Sequence, residues 1–305
     1  MNDLLRVADL EPSDLTELLE LALSVKRDPL SVSGVGAGRI CAVLFEKPSL
    51  RTRFSVEGAL ARLGAHPVGA YDREVGLGTR ESLPDAARVL SRYSDAIVIR
   101  TFAHGRVEEL AEAADVPVIN ALTDEHHPLQ ALADLMTVAE ACCDGDVRAL
   151  KDVRIAWVGD GNNVCASLIE GCALSGASLG VACPPRHEPS EAVVGWARSR
   201  DAVVEIYADP REAVVGADVV YTDVWASMGQ EAEAEKRRSV FADYRVTESL
   251  MSAANPGAVF LHCLPAHRGE EVDAGVIDGP SSRVFDQAEN RLHSTVAVFV
   301  RLWGE

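Results

Sequence analysis

From Arg39 onward the chain alternates short apolar, partly β-branched runs with stretches of helical periodicity, and no other feature limits its fold as strongly. Strands are expected at 39–45, 96–99, 116–120, 154–158, 178–182, 203–206, 219–222 and 259–262. Near-continuous apolar runs of this length suit parallel strands buried on both faces. Between them Ala86, Val89, Leu90 and Tyr93, and again Leu129, Leu132, Leu135 and Met136, recur at helical spacing. Residues 1–30 also read as helical, with Leu15, Leu18, Leu19 and Leu23 on one face after Pro12. Alternation of this kind implies right-handed βαβ units and ligands at the C-terminal ends of the strands. The expected fold class is α/β with two domains, each a parallel sheet flanked by helices. A chain of 305 residues suits two such units, of roughly 150 residues each. The best boundary lies between Cys142 and Asp152, where a long helix ends in Asp144-Gly145-Asp146 and a new strand follows. That places the domains at 1–142 and 143–285, with a last helix at about 286–302.

The stretch with most chemistry is Phe45-Glu46-Lys47-Pro48-Ser49-Leu50-Arg51-Thr52-Arg53-Phe54. It joins the strand ending at Phe45 to a helix on which Val56, Leu60 and Leu63 form the apolar stripe. Ser49 is well placed as the N-cap. A helix N-terminus offers unpaired N–H groups and the positive end of the dipole, which makes an anion site. Here it is reinforced by the hydroxyls of Ser49 and Thr52 and the guanidinium groups of Arg51 and Arg53. Arginine in a first turn opposes the dipole, so an anionic ligand explains it better than helix stability does.

Composition narrows the function classes. The formal net charge is −18, which argues against nucleic acid and anionic membrane surfaces as partners. It also makes the local arginine cluster stand out. There is no apolar run long enough to span a membrane and no signal peptide, so a cytoplasmic protein is expected. The cysteines (Cys41, Cys142, Cys143, Cys165, Cys172, Cys183 and Cys263) are odd in number and lack a C-x-x-C pair. They read as reduced thiols, and no Cys/His spacing suits structural zinc.

Other candidates also sit at strand ends. Arg100 follows Ala96–Ile99, where a bidentate guanidinium suits a phosphate, although a surface-loop arginine is as good a reading from the residues alone. His127 and Gln130 bracket Pro128 at a helix start and can converge on one small polar group, while either alone would suit a cap. Adjacent His126 does not make a metal pair with His127. Asp223 ends a strand and is followed by Ser227-Met228-Gly229, offering a carboxylate for an amine, though an ordinary loop is not excluded by one Asp. Cys263 ends another strand, where an isolated Cys would usually be a buried small hydrophobe; near an Asp, its thiol could instead accept charge or a hydrogen bond from an attacking amine. Gly159-Asp160-Gly161 after a strand tests a dinucleotide-binding reading. The third glycine is Val164 and no acidic residue ends the next strand, so the fingerprint fails.

Lys47-Pro-Ser-Leu-Arg-Thr-Arg53, Arg100-Thr-Phe102, His127-Pro-Leu-Gln130, Gly159-Asp-Gly-Asn-Asn163, Asp223 with Ser227-Met228-Gly229, His262-Cys-Leu-Pro265 and Glu289-Asn-Arg291 together resemble the aspartate/ornithine carbamoyltransferase family over nearly the whole chain. The resemblance implies transfer of the carbamoyl group of carbamoyl phosphate to the δ-amine of L-ornithine, giving L-citrulline and phosphate, in arginine biosynthesis or its catabolic reverse. It implies carbamoyl phosphate on Ser49, Leu50, Arg51, Thr52, Arg100, His127, Gln130, Cys263, Leu264 and Arg291. It implies ornithine on Asn163, Asp223, Ser227 and Met228, with Cys263, His127, Arg100 and Asp223 closest to the chemistry. No cofactor or metal is expected. A homotrimer is, with helix 286–305 packed on the first domain and a loop at about 73–84 completing a neighbour's site. Leu50 stands where a Thr is commoner, and Gly76 where a polar residue, often Gln, is. A sibling transferase acting on putrescine or an acylated ornithine is the nearest rival. An oxidoreductase and a catalytically silent binding protein are more distant ones.

Overall fold

The structure, a computed structural model, describes residues 2–71, 76–78, 80–226 and 234–304. By Cα proximity the chain forms two units, Met1–Ala133 with Glu289–Glu305, and Asp134–Ala288. The elements leading through the first unit are α1 (Pro12–Arg27), β1 (Ile40–Phe45), α2 (Leu50–Leu63), β2 (His66–Tyr71), α3 (Leu83–Leu90), β3 (Ala96–Arg100), α4 (His104–Ala113), β4 (Val118–Leu122) and α5 (Pro128–Cys142). The second unit continues with β5 (Arg154–Val158), α6 (Asn163–Ser175), β6 (Ser178–Ala182), α7 (Glu191–Arg198), β7 (Val204–Tyr207), α8 (Pro210–Val214), β8 (Val219–Thr222), α9 (Ala234–Phe241), α10 (Glu248–Met251), β9 (Val259–His262) and α11 (Ala274–Ile277); α12 (Val284–Trp303) begins there and from Glu289 belongs to the first unit.

The first sheet has the order β2-β1-β3-β4 and the second β7-β6-β5-β8-β9. Every pairing in both is parallel. In the first, the winding direction reverses between β1 and β3; in the second, between β5 and β8. Such switch points leave a crevice beyond the strand C-termini, where ligands bind in open α/β sheets. The segments after β1 and β3 carry the Ser49–Thr52 loop and Arg100. Those after β5 and β8 carry Asn162, Asn163 and Asp223.

All eight expected strands are present, within about two residues at their ends. A ninth, β2, is an addition. It pairs at the sheet edge from Ile40↔His66 to Phe45↔Tyr71, and most of its residues are at least partly exposed. Pro67 and Gly69 hide it in the sequence, because both are unfavourable inside strands and tolerated at edges. The helix expected over 1–30 spans only Pro12–Arg27, preceded by a short 3₁₀ turn at Val7–Asp9.

The cores follow from the strand pattern. In the first unit Ala42 and Leu44 of β1 and Ile97 and Ile99 of β3 pack with Leu83, Val107 and Leu110 of the flanking helices. In the second, Ala156, Val158, Val220 and Phe260 pack with Phe241, Tyr244 and Val276. Full burial of each such large side chain stabilises by about 1.5–3 kcal/mol. The division into units falls inside α5, at Ala133/Asp134, rather than after Cys142 where the sequence suggested it. Asp134 explains why: buried, it accepts hydrogen bonds from Tyr221 Oη at 3.0 Å and Gln287 Nε2 at 2.6 Å, both within the second unit. Among the described residues no helix is long and apolar enough to cross a membrane.

Candidate functional site

In the first unit the loop after β1 is shaped by its cap. Ser49 has extended backbone (φ −161°) and its hydroxyl accepts from Thr52 N–H at 3.3 Å, starting α2 at Leu50. The Leu50 and Arg51 amides then belong to the first turn, which has no intrahelical acceptors. The Leu50 side chain is 72% exposed, so only its backbone can serve an anion. Thr52 is fully buried, and its hydroxyl accepts from Arg291 Nη2 at 2.8 Å. Arg51 Nε is buried and makes no hydrogen bond to a described residue. Arg100, the last residue of β3, is buried too, and its carbonyl accepts from Glu46 N–H at 2.9 Å. Lys47 turns elsewhere: it pairs with Asp124 and its Nζ stands 4.5 Å from the Phe102 ring centre.

His127 and Gln130 are both buried, and the Gln130 amide caps onto the His127 carbonyl at 3.0 Å. Burial, and after it the positive charges of Arg291, Arg100 and Arg51, hold the His127 imidazole well below its ordinary value. It is a neutral donor and acceptor surrounded by cations. The turn that presents it is knotted by Thr123, whose N–H donates to the His126 carbonyl at 2.8 Å and whose hydroxyl accepts from His126 N–H at 3.1 Å. His104 Nδ1 lies 3.2 Å from the same hydroxyl, and its ring meets that of His126 with centroids 4.7 Å apart. A second tie runs through Arg106, which donates from Nη2 to Glu46 Oε1 and the Leu77 carbonyl, each at 2.9 Å, and from Nε to Thr101 at 3.2 Å. Gly76 has φ +55°, and a Cβ there would stand 2.9 Å from Arg80 Cδ. The stem of Arg80 thus lies over the place a side chain at 76 would leave from. Within 73–84, residues 73–75 and 79 lie outside the described ones.

In the second unit Asp223 directly follows β8 and is buried. Its Oδ1 accepts from Val224 N–H at 2.8 Å and the Cys263 thiol at 2.9 Å, and its Oδ2 from Asn162 Nδ2 at 2.7 Å. Asn162 was missed by sequence reasoning, which chose Asn163. It is the N-cap of α6, its Oδ1 accepting from Val164 and Cys165 N–H at 3.0 and 3.1 Å. The strong preference for Asn at N-caps was the available signal. Asn163 is the first residue of α6. Cys263 and Leu264, expected to meet carbamoyl phosphate, belong to this unit, and Leu264 has φ +57°. Ser227 and Met228 lie outside the described residues.

The glycines after β5 have local explanations. Gly159 takes φ +136°, and a Cβ on Gly161 would fall 2.2 Å from Pro189 N. Asp160, between them, pairs with Arg237 and stands 3.4 Å from His187 Nδ1. None of the seven cysteines, all among the described residues, is in a disulfide, and burial pushes the thiols of Cys41, Cys165, Cys172 and Cys183 up, Cys172 to about 12. Ligand atoms of Asp223, His262 and Cys263 lie within 4.8 Å of one another, as do those of His267, Glu270 and Glu271. The hydrogen bonds already made to Asp223 account for the first group without an ion.

Residues 2–140 match a family model described as aspartate/ornithine carbamoyltransferase, carbamoyl-P binding domain, and residues 151–302 match its Asp/Orn binding domain. The chain is 48% identical over 312 residues to an ornithine carbamoyltransferase of Anoxybacillus flavithermus, covering 98% of this chain and 96% of the relative. It is 50% identical over 305 residues to one of Parafrankia sp., covering 97% and 94%. Among solved structures, ornithine carbamoyltransferase from Pyrococcus furiosus superposes with a TM-score of 0.93 at 46% identity, covering 99% of this chain and 97% of that one. The Thermus thermophilus enzyme gives 0.89 at 44%, covering 99% of each.

Proposed function

The chain belongs to the aspartate/ornithine carbamoyltransferase family, and from that membership and its two half-sites we infer that it transfers the carbamoyl group of carbamoyl phosphate to the δ-amine of L-ornithine, giving L-citrulline and phosphate. The observation that carries the donor half is the neutral, buried His127 set among Arg51, Arg100 and Arg291. Three guanidinium groups suit a phosphate leaving as a multiply charged anion. A neutral imidazole suits the carbamoyl carbonyl, to which it can donate without adding another buried charge. Ser49, the Leu50 amide, Thr52 and Gln130 complete this set.

The acceptor half is Asp223. Its three partners, an amide, a backbone N–H and a thiol, are all formally uncharged donors. Its negative charge therefore has no cation beside it among the described residues, which suits a substrate ammonium group. Asn163, Ser227 and Met228 are assigned to the α-amino and carboxylate ends of ornithine, and Leu264 to the carbamoyl amide.

The reaction is a direct displacement. The δ-nitrogen, once neutral, attacks the carbamoyl carbon; the C–N bond forms, the bond from the carbamoyl carbon to the bridging oxygen breaks with that oxygen leaving on phosphate, and the surplus proton leaves with phosphate or water. The arginines and His127 act by stabilising charge that develops on the carbonyl and the departing oxygens. Proximity of the two substrates supplies much of the remainder. A cytoplasmic homotrimer is assigned from the family resemblance, and apolar side chains left bare on one chain, including Leu50, Phe54 (71% exposed) and Val68, fit burial between subunits.

Citrulline formation from carbamoyl phosphate should be measured with ornithine, N-acetylornithine, putrescine and aspartate as acceptors. Ornithine should exceed the others by at least a hundredfold in kcat/KM. A preference for putrescine or N-acetylornithine would assign the chain to a sibling activity.

A further inference from the structure

Among the buried ionisable groups of the second unit that the mechanism above does not use is Glu271. Glu271 is 0% exposed, and so is His262, the last residue of β9 and the neighbour of Cys263. His262 Nδ1 accepts from Leu264 N–H at 2.9 Å. An imidazole nitrogen that accepts carries no proton, so in the neutral ring the proton is on Nε2. Nε2 stands 3.3 Å from Glu271 Oε1, an ion-pair distance off the line of a hydrogen bond, and meets no hydrogen-bond partner among the described residues. Glu271 is anchored in turn, since it accepts from the His267 N–H. Burial raises its carboxyl, but the His262 ring and the His267 amide outweigh that and hold it below its ordinary value, as an anion. The backbone of His262 is fixed separately, its N–H donating to Gln287 Oε1 at 2.9 Å.

We propose that Glu271 is a positioning residue for the amine-accepting half-site: through the tautomer of His262 it holds the Leu264 amide, and with it the turn that aims Cys263 at Asp223. This rests on the carbamoyl-transfer reading for its effect on turnover. The geometry makes the link necessary. Leu264 occupies the left-handed region (φ +57°), which a leucine seldom adopts and which must be enforced by its surroundings. Its N–H donates to His262 Nδ1, which helps hold that conformation. If the proton moved from Nε2 to Nδ1, that acceptor would become a donor facing another donor. A carboxylate facing Nε2 prevents the exchange, as second partners of functional histidines commonly do. Cys263 lies between the two residues of the link, so its 2.9 Å contact to Asp223 depends on that turn.

The test compares Glu271→Gln, which keeps the shape and removes the charge, with Glu271→Ala. Both should lower kcat for citrulline formation tenfold or more while the KM for carbamoyl phosphate stays within twofold. A merely structural glutamate would not alter the second readout, the ¹⁵N spectrum of the histidines, with the His262 signals identified by their loss in His262→Asn. Wild-type protein should show a bare Nδ1 and a protonated Nε2, and both variants a mixture of tautomers. Unchanged kcat, or a His262 tautomer unmoved in Glu271→Gln, overturns the proposal. Should Glu271→Ala fail to fold, Glu271→Gln decides on the same terms. The spectrum needs no substrate, so a wild-type protein silent toward ornithine would count against carbamoyl transfer, while the Glu271–His262 link would still stand or fall on its own signal.

Discussion

Mild acid should weaken this protein through the turn that presents His127, and His126 is the residue to test. Its ring is 6% exposed, packed edge-on against His104, with its backbone tied twice to Thr123. Burial first, then the charges of His104 and Arg6, push the imidazole down to about 4. In the unfolded chain it titrates at the ordinary value of about 6.5. The unfolded state therefore binds the extra proton between those limits, and stability rises with pH across that range. The contribution is complete above about pH 7, drains as pH falls through 6.5, and is fully lost below about 4. At pH 5 the linkage relation gives a loss of about 2 kcal/mol from His126 alone, a large share of the roughly 5–15 kcal/mol that holds a domain folded. His104 and His293, also held low by burial, add to the slope. Urea unfolding at pH 7 and pH 5 should be compared for wild type and His126→Asn, which does not titrate. Wild type should lose about 2 kcal/mol more than the variant over that interval. An equal loss in both would show that His126 is not held neutral by the fold, and the reasoning from burial would be wrong.

Replacing Arg51 or Arg100 with Ala should cost on the order of 3 kcal/mol in kcat/KM for carbamoyl phosphate, as for loss of a preorganised donor; near-wild-type turnover in steady-state assays would remove the phosphate assignment. Activity should rise toward alkaline pH, because the δ-amine is chemically like a lysine side chain and attacks only when neutral. Cys263→Ser should change the rate or the ornithine KM, and an unaltered pH-rate profile with both constants intact would remove the thiol from the site. Sedimentation should give three times the 32.6 kDa of one chain. Hybrids of Arg51→Ala and Arg80→Ala subunits should regain activity if Arg80 serves a neighbouring site; no recovery, or full activity in Arg80→Ala alone, refutes that.

The strands buried on both faces could be read as short, partly β-branched apolar runs between helical stretches, a pattern that suits a doubly covered parallel sheet. β2 could not, since its environment is an edge and its residues look like a loop. The break inside α5 was equally hidden: helical periodicity runs unbroken through Ala133 and Asp134, and what divides them is the remote pair Tyr221 and Gln287. Within the half-sites, residues at strand ends were legible because position and residue type coincide, as at Arg100, Asp223 and Cys263. Arg291 was reached through family resemblance, since its bond to Thr52 spans 239 residues and no local pattern encodes it. Asn162 and Glu271 were overlooked for a related reason. Their roles are defined by the partner that each side chain meets, and spacing says nothing of partners.

The two half-sites set opposite electrostatic conditions within one acidic chain of net charge −18. In the first unit, guanidinium groups crowd a site where a further buried cation would be costly, and the protein answers by keeping His127 uncharged. The burial that would make the imidazole a poor base at neutral pH leaves it a steady hydrogen-bond donor toward a carbonyl. In the second unit the side-chain oxygens of Asp223 meet only uncharged donors among the described residues, which keeps the carboxyl in place and open to a substrate cation. An arginine beside Asp223 would hold it as firmly but would compete with a substrate amine. On the site assignment proposed above, an amide and a thiol there, against arginines at Thr52 and His127, match the charge each substrate brings. An anionic donor molecule and a cationic acceptor need surroundings of opposite sign, and placing each set at the switch point of its own sheet lets one chain provide both.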